Sequence, residues 1–193
     1  MTDSPPLQEL LRDRRRAGEL NDAHAGLCTL ATVDEHGLPH VRTLVLRELQ
    51  GRLALFLNAT SPKQRQLNSG NAAVCVYLAS LQRQYRLRCG IDAIDDKVVH
   101  ESWQLRPDAP KRMDWYYMQG RVQSAKVGSR DMLLAELDRV ELPEPLTAPT
   151  SAAGYWLNPH QVERLDLDQE NGVHDRVAWT LEGGRWVETT LVP

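Results

Sequence analysis

Residues 27–58 read LCTLATVDEHGLPHVRTLVLRELQGRLALFLN. The stretch divides into LCTLATV (27–33), PHVRTLVLREL (39–49) and RLALFLN (52–58), separated by DEHG (34–37) and by Gln50-Gly51. Apolar, β-branched runs joined by two- to four-residue turns predict an antiparallel meander. Working outward, Ser61-Pro62 opens a short helix, SPKQRQLN, stopped at Gly70, and AAVCVYLAS (72–80) and RQYRLRCGIDA (83–93) read as two further strands. A helical stretch follows: residues 95–107, apolar at 98, 99, 103 and 105 and ended by Pro107; residues 111–120; and residues 129–141, with Ser129 as N-cap. Residues 143–154 lack periodicity and read as a surface connection. The chain closes with strands at 161–167, 174–182 and 185–192, the last two joined at Gly183-Gly184. At the other end Ser4-Pro5 starts a helix with Leu7, Leu10 and Leu11 on one face, ending near Gly18. The basic run Arg12, Arg14, Arg15 and Arg16 on it reads as a solvated face. Strand signals precede the main helical stretch, so the expected class is mainly β with α insertions, an α+β arrangement. We expect one domain over residues 1–193, with an N-terminal helix within 1–22, a helical insertion at 95–141 and closing strands at 160–193.

The chain has 193 residues, enough for one real core. Lys plus Arg is 23 against 26 Asp plus Glu, a net charge of −3 that argues against a general nucleic-acid binder. No apolar run approaches the ~20 residues of a membrane helix. The N-terminus shows no apolar signal region, so a cytoplasmic location is expected. Cys28, Cys75 and Cys89 are widely spaced, with no CxxC or Cys/His cluster. They read as buried free thiols in a reducing compartment, and no metal site is expected.

Four places break the apolar pattern. Arg42 and Arg47 flank TLVL, and charges there are either at strand rims or face a ligand. In RQYRLR, alternation puts Gln84, Arg86 and Arg88 on one face and Tyr85 and Leu87 on the other. In NATSPKQRQL (58–67) a loop enters a helix start carrying Ser61 and Lys63, which reads either as an ordinary cap or as a phosphate site. His174-Asp175-Arg176 is either an ion-paired turn or a titratable group near a site. No GxGxxG, P-loop, GxSxG or HExxH is present.

In that order, these segments resemble the pyridoxamine 5′-phosphate oxidase family, whose fold is an FMN-binding split β-barrel. The similarity runs from about Leu27 to Pro193 and is densest in LATVDEHGLPHVRTLVLR, SPKQRQL, LQRQYRLRCG and HDR with the closing tail. It implies a homodimer with FMN at the subunit interface, the closing strands 160–193 contributing dimer and flavin contacts. It implies that Arg42 and Lys63, with Ser61, hold the flavin phosphate, and that the backbone of Thr43, Leu44, Val45 and Leu46 passes the ring. Gln84 would bond the ring edge, Gln119 would reach it from the other subunit, and Arg176 would lie nearby. For the substrate it implies Arg47, Ser102, Arg106 and His174, with His174 and Arg106 holding the reacting molecule.

Several positions depart from the family pattern. Pro62 stands for an Arg, Gly120 for a Ser and Leu165 for a Trp on the flavin side. On the substrate side Ser102 stands for a Tyr, Pro110 for a Ser and Arg47 for a Lys, and Gly172 replaces the Arg that covers the substrate. The cofactor positions are better kept than the substrate positions. The resemblance therefore implies an FMN-dependent oxidoreductase, transferring hydride from a phosphorylated or aromatic amine or alcohol to FMN with reoxidation by dioxygen. Two alternatives stand beside it: a non-catalytic protein binding flavin or a B6 phosphate, and a split-barrel reductase with a different small-molecule substrate. Neither nucleic acid nor membrane is an expected partner.

Overall fold

A computed structural model describes residues 4–193, and the first three residues of the expected N-terminal segment lie outside the described residues. The chain forms two compact units. One comprises residues up to Leu55, Ser69–Asp92 and Trp156–Pro193; the other comprises Phe56–Asn68 and Ala93–Tyr155.

The first unit is built on the antiparallel meander. Strand β1 (Leu27–Val33) pairs with β2 (Pro39–Val45) from Leu27 opposite Val45 to Val33 opposite Pro39. On its other edge β1 meets β5 (Asn71–Leu78), Thr29 opposite Cys75, and β5 runs antiparallel to β6 (Arg83–Ala93). Short β3 (Arg47–Leu49) returns as β4 (Arg52–Asn58). Strand β7 (Ala152–Asp166) is hydrogen-bonded to β6, β4 and β8 (Asp175–Glu182), and β8 to β9 (Arg185–Thr190). The strand order β2-β1-β5-β6-β7-β4-β3 leaves β2 at one end. Alternation sorts the side chains: Cys28, Leu30, Val74, Val76, Tyr85, Leu87 and Cys89 point into the core. Burial lifts the Cys28 and Cys89 thiols to about 12, so both stay protonated and unreactive at neutral pH.

Helix α1 (Pro5–Glu19) starts with prolines in its first turn, where no N–H partner is lost, and buries Leu10, Leu11 and Ala17. Its Asp13 is also buried, and it accepts from Arg83 Nη1 and from the Tyr85 hydroxyl, both at 2.6 Å. Arg83 turns its other edge to Asp166, with Nε at 2.8 Å. Burial alone would lower the Arg83 pKa, but the hydrogen bonds and charges of the two carboxylates outweigh it and raise it. Arg14 corrects the expectation of a uniformly solvated basic face. It is half-buried and donates to the Ala25 and Leu46 carbonyls at 3.0 and 2.8 Å. Leu46 also donates its N–H to Gly26, which explains why residues 39–49 form two strands rather than one.

The second unit holds α2 (Pro62–Leu67), α3 (Asp96–Gln104), α4 (Asp108–Gln119) and α5 (Arg130–Asp138). Asp95 caps α3 by accepting from Lys97 N–H, and Ser129 caps α5 by accepting from Met132 N–H. The expected connection at 143–154 ends early, because β7 begins at Ala152 instead of 161. Residues Gly154 to Leu157 are buried one after another, so no alternation betrays the strand, and Pro159 further masks it. Gly154 is required by contact: a Cβ there would sit 3.0 Å from Phe56 Cε1 and 3.1 Å from Ile94 Cδ1. Among the described residues no helix is long and apolar enough to cross a membrane.

Two outcomes follow for stability. Asp13→Ala strips the buried Tyr85 hydroxyl and one edge of Arg83 of their acceptor, and urea unfolding is expected to show a loss of about 3–5 kcal/mol. Gly154→Val overpacks the Phe56–Ile94 contact, with an expected loss of about 1–3 kcal/mol in the same measurement.

Candidate functional site

In the first unit, the side chains of β2 alternate between two faces. His40, Arg42 and Leu44 share the inner face with Cys28, Leu30 and Thr32, while Val41, Thr43 and Val45 lie on the outer face and are exposed. The Arg42 guanidinium donates through Nη1 to Thr32 Oγ1 at 2.5 Å and to the His40 carbonyl at 3.2 Å. Its partial burial lowers its pKa from the ordinary arginine value. Leu46 is buried, both its backbone groups being used by Gly26 and Arg14. Arg47 is exposed and has no side-chain partner among the described residues. Gln84 is half-buried opposite Tyr77, and its amide likewise has no side-chain partner among them.

The outer face of β1, β2, β5 and β6 carries a groove of about 250 Å³ whose lining includes Thr29, Ala31, Val41, Cys75, Arg86 and Glu163. Arg86 and Arg176 converge on the buried Glu163, Arg86 Nη1 at 3.4 Å and Arg176 Nε at 3.0 Å. Arg176 is thus already paired with a carboxylate. His174 is exposed just before β8 and has no side-chain partner among the described residues. Gly172 lies in a turn at φ +71°, and a Cβ there would meet nothing within 4 Å. A side chain has room, but the left-handed backbone costs a non-glycine residue about 1–2 kcal/mol. The backbone at this position, where the resemblance implies an arginine, therefore favours glycine.

The second unit holds the remaining candidates in one hydrogen-bonded chain. Lys63 Nζ donates to the buried Ser61 Oγ at 2.6 Å and to Gln123 Oε1 at 3.3 Å. Gln123 N–H donates to Thr60 Oγ1 at 3.2 Å, and Thr60 donates to Asn58 Oδ1 through its N–H (3.0 Å) and its hydroxyl (2.7 Å). The buried Asn58 amide donates to Ser151 Oγ at 2.9 Å and lies 3.5 Å from Asp114 Oδ1. Asp114, also buried, accepts from Trp103 Nε1 at 2.8 Å and from Arg106 Nη1 at 2.6 Å. Lys63 and Arg106 are therefore the two ends of a single polar network. Ser102 is half-buried on α3, beside Trp103 in sequence. Gln119 stands apart: its amide donates to the Glu141 carbonyl at 2.6 Å and accepts from Glu141 N–H at 3.2 Å. Gly120 follows from Tyr116, whose Cε2 would lie 2.8 Å from a Cβ there.

Asn58, Asp114, Ser151 and Gln123 were absent from the candidates drawn from sequence. Asp114 left a signal, an acidic residue inside the aromatic-rich helix DWYYM, while Asn58 and Ser151 look like ordinary strand-end and loop residues. Within the second unit, Lys63 and Ser61 present an ammonium and a hydroxyl side by side, a donor pair that fits a phosphate monoester.

The sequence profile of the pyridoxamine 5′-phosphate oxidase family matches residues 19–142. The pyridoxine/pyridoxamine 5′-phosphate oxidase of Ectopseudomonas mendocina is 33% identical over 167 residues, 86% of this chain and 77% of that protein. The enzyme of the same name from Agrobacterium fabrum is 30% identical over 189 residues, 96% of this chain and 89% of that protein. Among solved structures, PhzG from Burkholderia lata in complex with tetrahydrophenazine-1-carboxylic acid superposes with a TM-score of 0.83 at 22% identity, covering 100% of this chain and 96% of that one. A pyridoxamine 5′-phosphate oxidase-related, FMN-binding protein from Nostoc punctiforme has a TM-score of 0.83 at 20% identity, with both chains fully covered. Those two likenesses carry the fold, a split β-barrel, and the profile carries more: the chain belongs to the pyridoxamine 5′-phosphate oxidase family.

Proposed function

We propose that this protein is an FMN-dependent oxidoreductase that oxidises a small aromatic amine or alcohol. The observation that carries the reading is the donor set. Lys63 and Ser61 offer the charge and hydroxyl that a flavin phosphate needs, and the family resemblance adds Arg42 as a second cation and Gln84 as an amide for the ring edge. Bound FMN would supply a hydride acceptor that dioxygen can reoxidise, the chemistry that oxidation of an amine or alcohol requires.

The chain's own task is binding and orientation. The family resemblance assigns Arg47 to the substrate's anionic group and Arg106 and His174 to its positioning, and His174 is exposed with its ring accessible. No nucleophile is required, in keeping with the protonated, buried Cys28 and Cys89. The apolar outer face, with Val41 at 67% and Val33 at 52% exposure, is where we place the homodimer contact. A non-catalytic flavin-binding protein is the second reading, favoured by the glycine-adapted turn at Gly172 and by the Arg106–Asp114 pairing.

Adding FMN and desalting should leave near-stoichiometric flavin absorbance, and Lys63→Ala should weaken FMN binding by about tenfold, or ~1.4 kcal/mol. An unchanged Kd in that variant removes Lys63 from the phosphate site. Steady-state kinetics should show Arg47→Ala raising KM for an anionic substrate about tenfold or more, and an unaltered KM rejects its role. Bleaching of the flavin by an amine or alcohol donor separates the enzyme from the binding protein.

A further inference from the structure

We infer that Asp114 sets the substrate class, directing Arg106 to a carboxylate rather than to a phosphate dianion. The inference rests on the proposal that Arg106 faces the substrate. Asp114 is fixed from three sides: its side chain is 5% exposed, bonded to Trp103 Nε1 and Arg106 Nη1, with Asn58 Nδ2 at 3.5 Å. Arg106 is 31% exposed, spends Nη1 on Asp114, and has no second side-chain partner among the described residues. Its Nε/Nη2 edge is the part left for a ligand.

The same protein shows what that edge does. Arg83 likewise gives Nη1 to one buried carboxylate, Asp13, and both Nε and Nη2 to a single oxygen, Oδ2, of a second, Asp166. A guanidinium fork matches a planar carboxylate with two parallel N–H···O bonds. Arg106 with Asp114 is the same half-completed arrangement, opened toward solvent.

Charge points the same way. Arg106 and Asp114 form an ion pair at 2.6 Å, and Lys111 Nζ lies 5.5 Å from the ring of Trp103, which donates to Asp114. The fixed Asp114 carboxylate repels a phosphate dianion roughly twice as strongly as a carboxylate at equal distance, so its presence shifts the choice at Arg106 toward the monoanion.

Benzoate and phenyl phosphate share a ring and differ in the anionic group, and calorimetric titration of both into FMN-loaded and flavin-free protein at mildly alkaline pH reads the choice directly. Wild-type protein should bind benzoate about tenfold more tightly than phenyl phosphate, and Asp114→Asn should shift that ratio about tenfold toward phenyl phosphate. Arg106→Lys keeps the charge but loses the fork, so benzoate binding should weaken about fivefold or more; this second variant leaves Asp114 in place should Asp114→Asn fail to fold. A wild-type preference for phenyl phosphate, an unchanged ratio in Asp114→Asn, or no binding of either probe overturns the inference. Failure of the flavoprotein reading shows separately, as flavin lost on desalting whichever probe binds.

Discussion

An arginine held against a buried carboxylate is the interaction on which each unit of this protein is organised. In the first unit Arg83 lies between Asp13 and Asp166, and the Tyr85 hydroxyl shares Asp13. This joins α1 to the middle of the sheet, where apolar packing of Leu10 and Leu11 alone would leave the helix free to slide. Burying two carboxylates costs several kcal/mol each unless every lone pair finds a donor, so the arrangement fixes one register and penalises the others. In the second unit the Arg106–Asp114 pair, with Asn58 and Trp103, ties β4, α3 and α4 together in the same way.

The two pairs differ in completeness, and that difference separates structure from function. Arg83 is satisfied on both edges and is a structural bolt. Arg106 is satisfied on one edge and partly exposed. Arg176 lies nearer the first kind, with Glu163 and the Val192 carbonyl as partners. Lys63 donates to neutral oxygens of the network that ends at Asp114. Lys63 and Arg106 are thus positioned by one set of hydrogen-bonded polar groups. A change at Asn58 or Thr60 would be felt at both ends, although neither residue carries charge.

Much of the fold was legible because the meander is written in local signals. The β1–β2 hairpin, the β4 limits, the β5–β6 pair and the β8–β9 turn at Gly183-Gly184 are where alternation and turn residues put them. What escaped was decided at long range. The break at Leu46 depends on Arg14, far away in sequence, and the early start of β7 is hidden by residues buried on both faces. Among the candidates, Arg42 and Arg47 stand out against apolar strands and Lys63 at a helix start, whereas Arg106 was implied only by the family resemblance. The partners were not legible: Asp114, Glu163 and Asp13 are single acidic residues whose meaning depends on which arginine the fold brings to them. A sequence shows the cations but not which of them are already spent.

That distinction bears on how the family's chemistry diverges in this chain. At Gly172, where the family resemblance implies a binding arginine, the positive φ is a backbone suited to glycine. Gly120 is held similarly by the Tyr116 ring, which takes the space a side chain would need. Reverting either residue alone would meet backbone strain or a steric clash, so each departure is embedded in its surroundings. Arg106 is the opposite case: the arginine is kept, and its charge is offset by the buried aspartate beside it. Retaining a residue type while offsetting its charge changes what a site can hold without disturbing the helix that carries it.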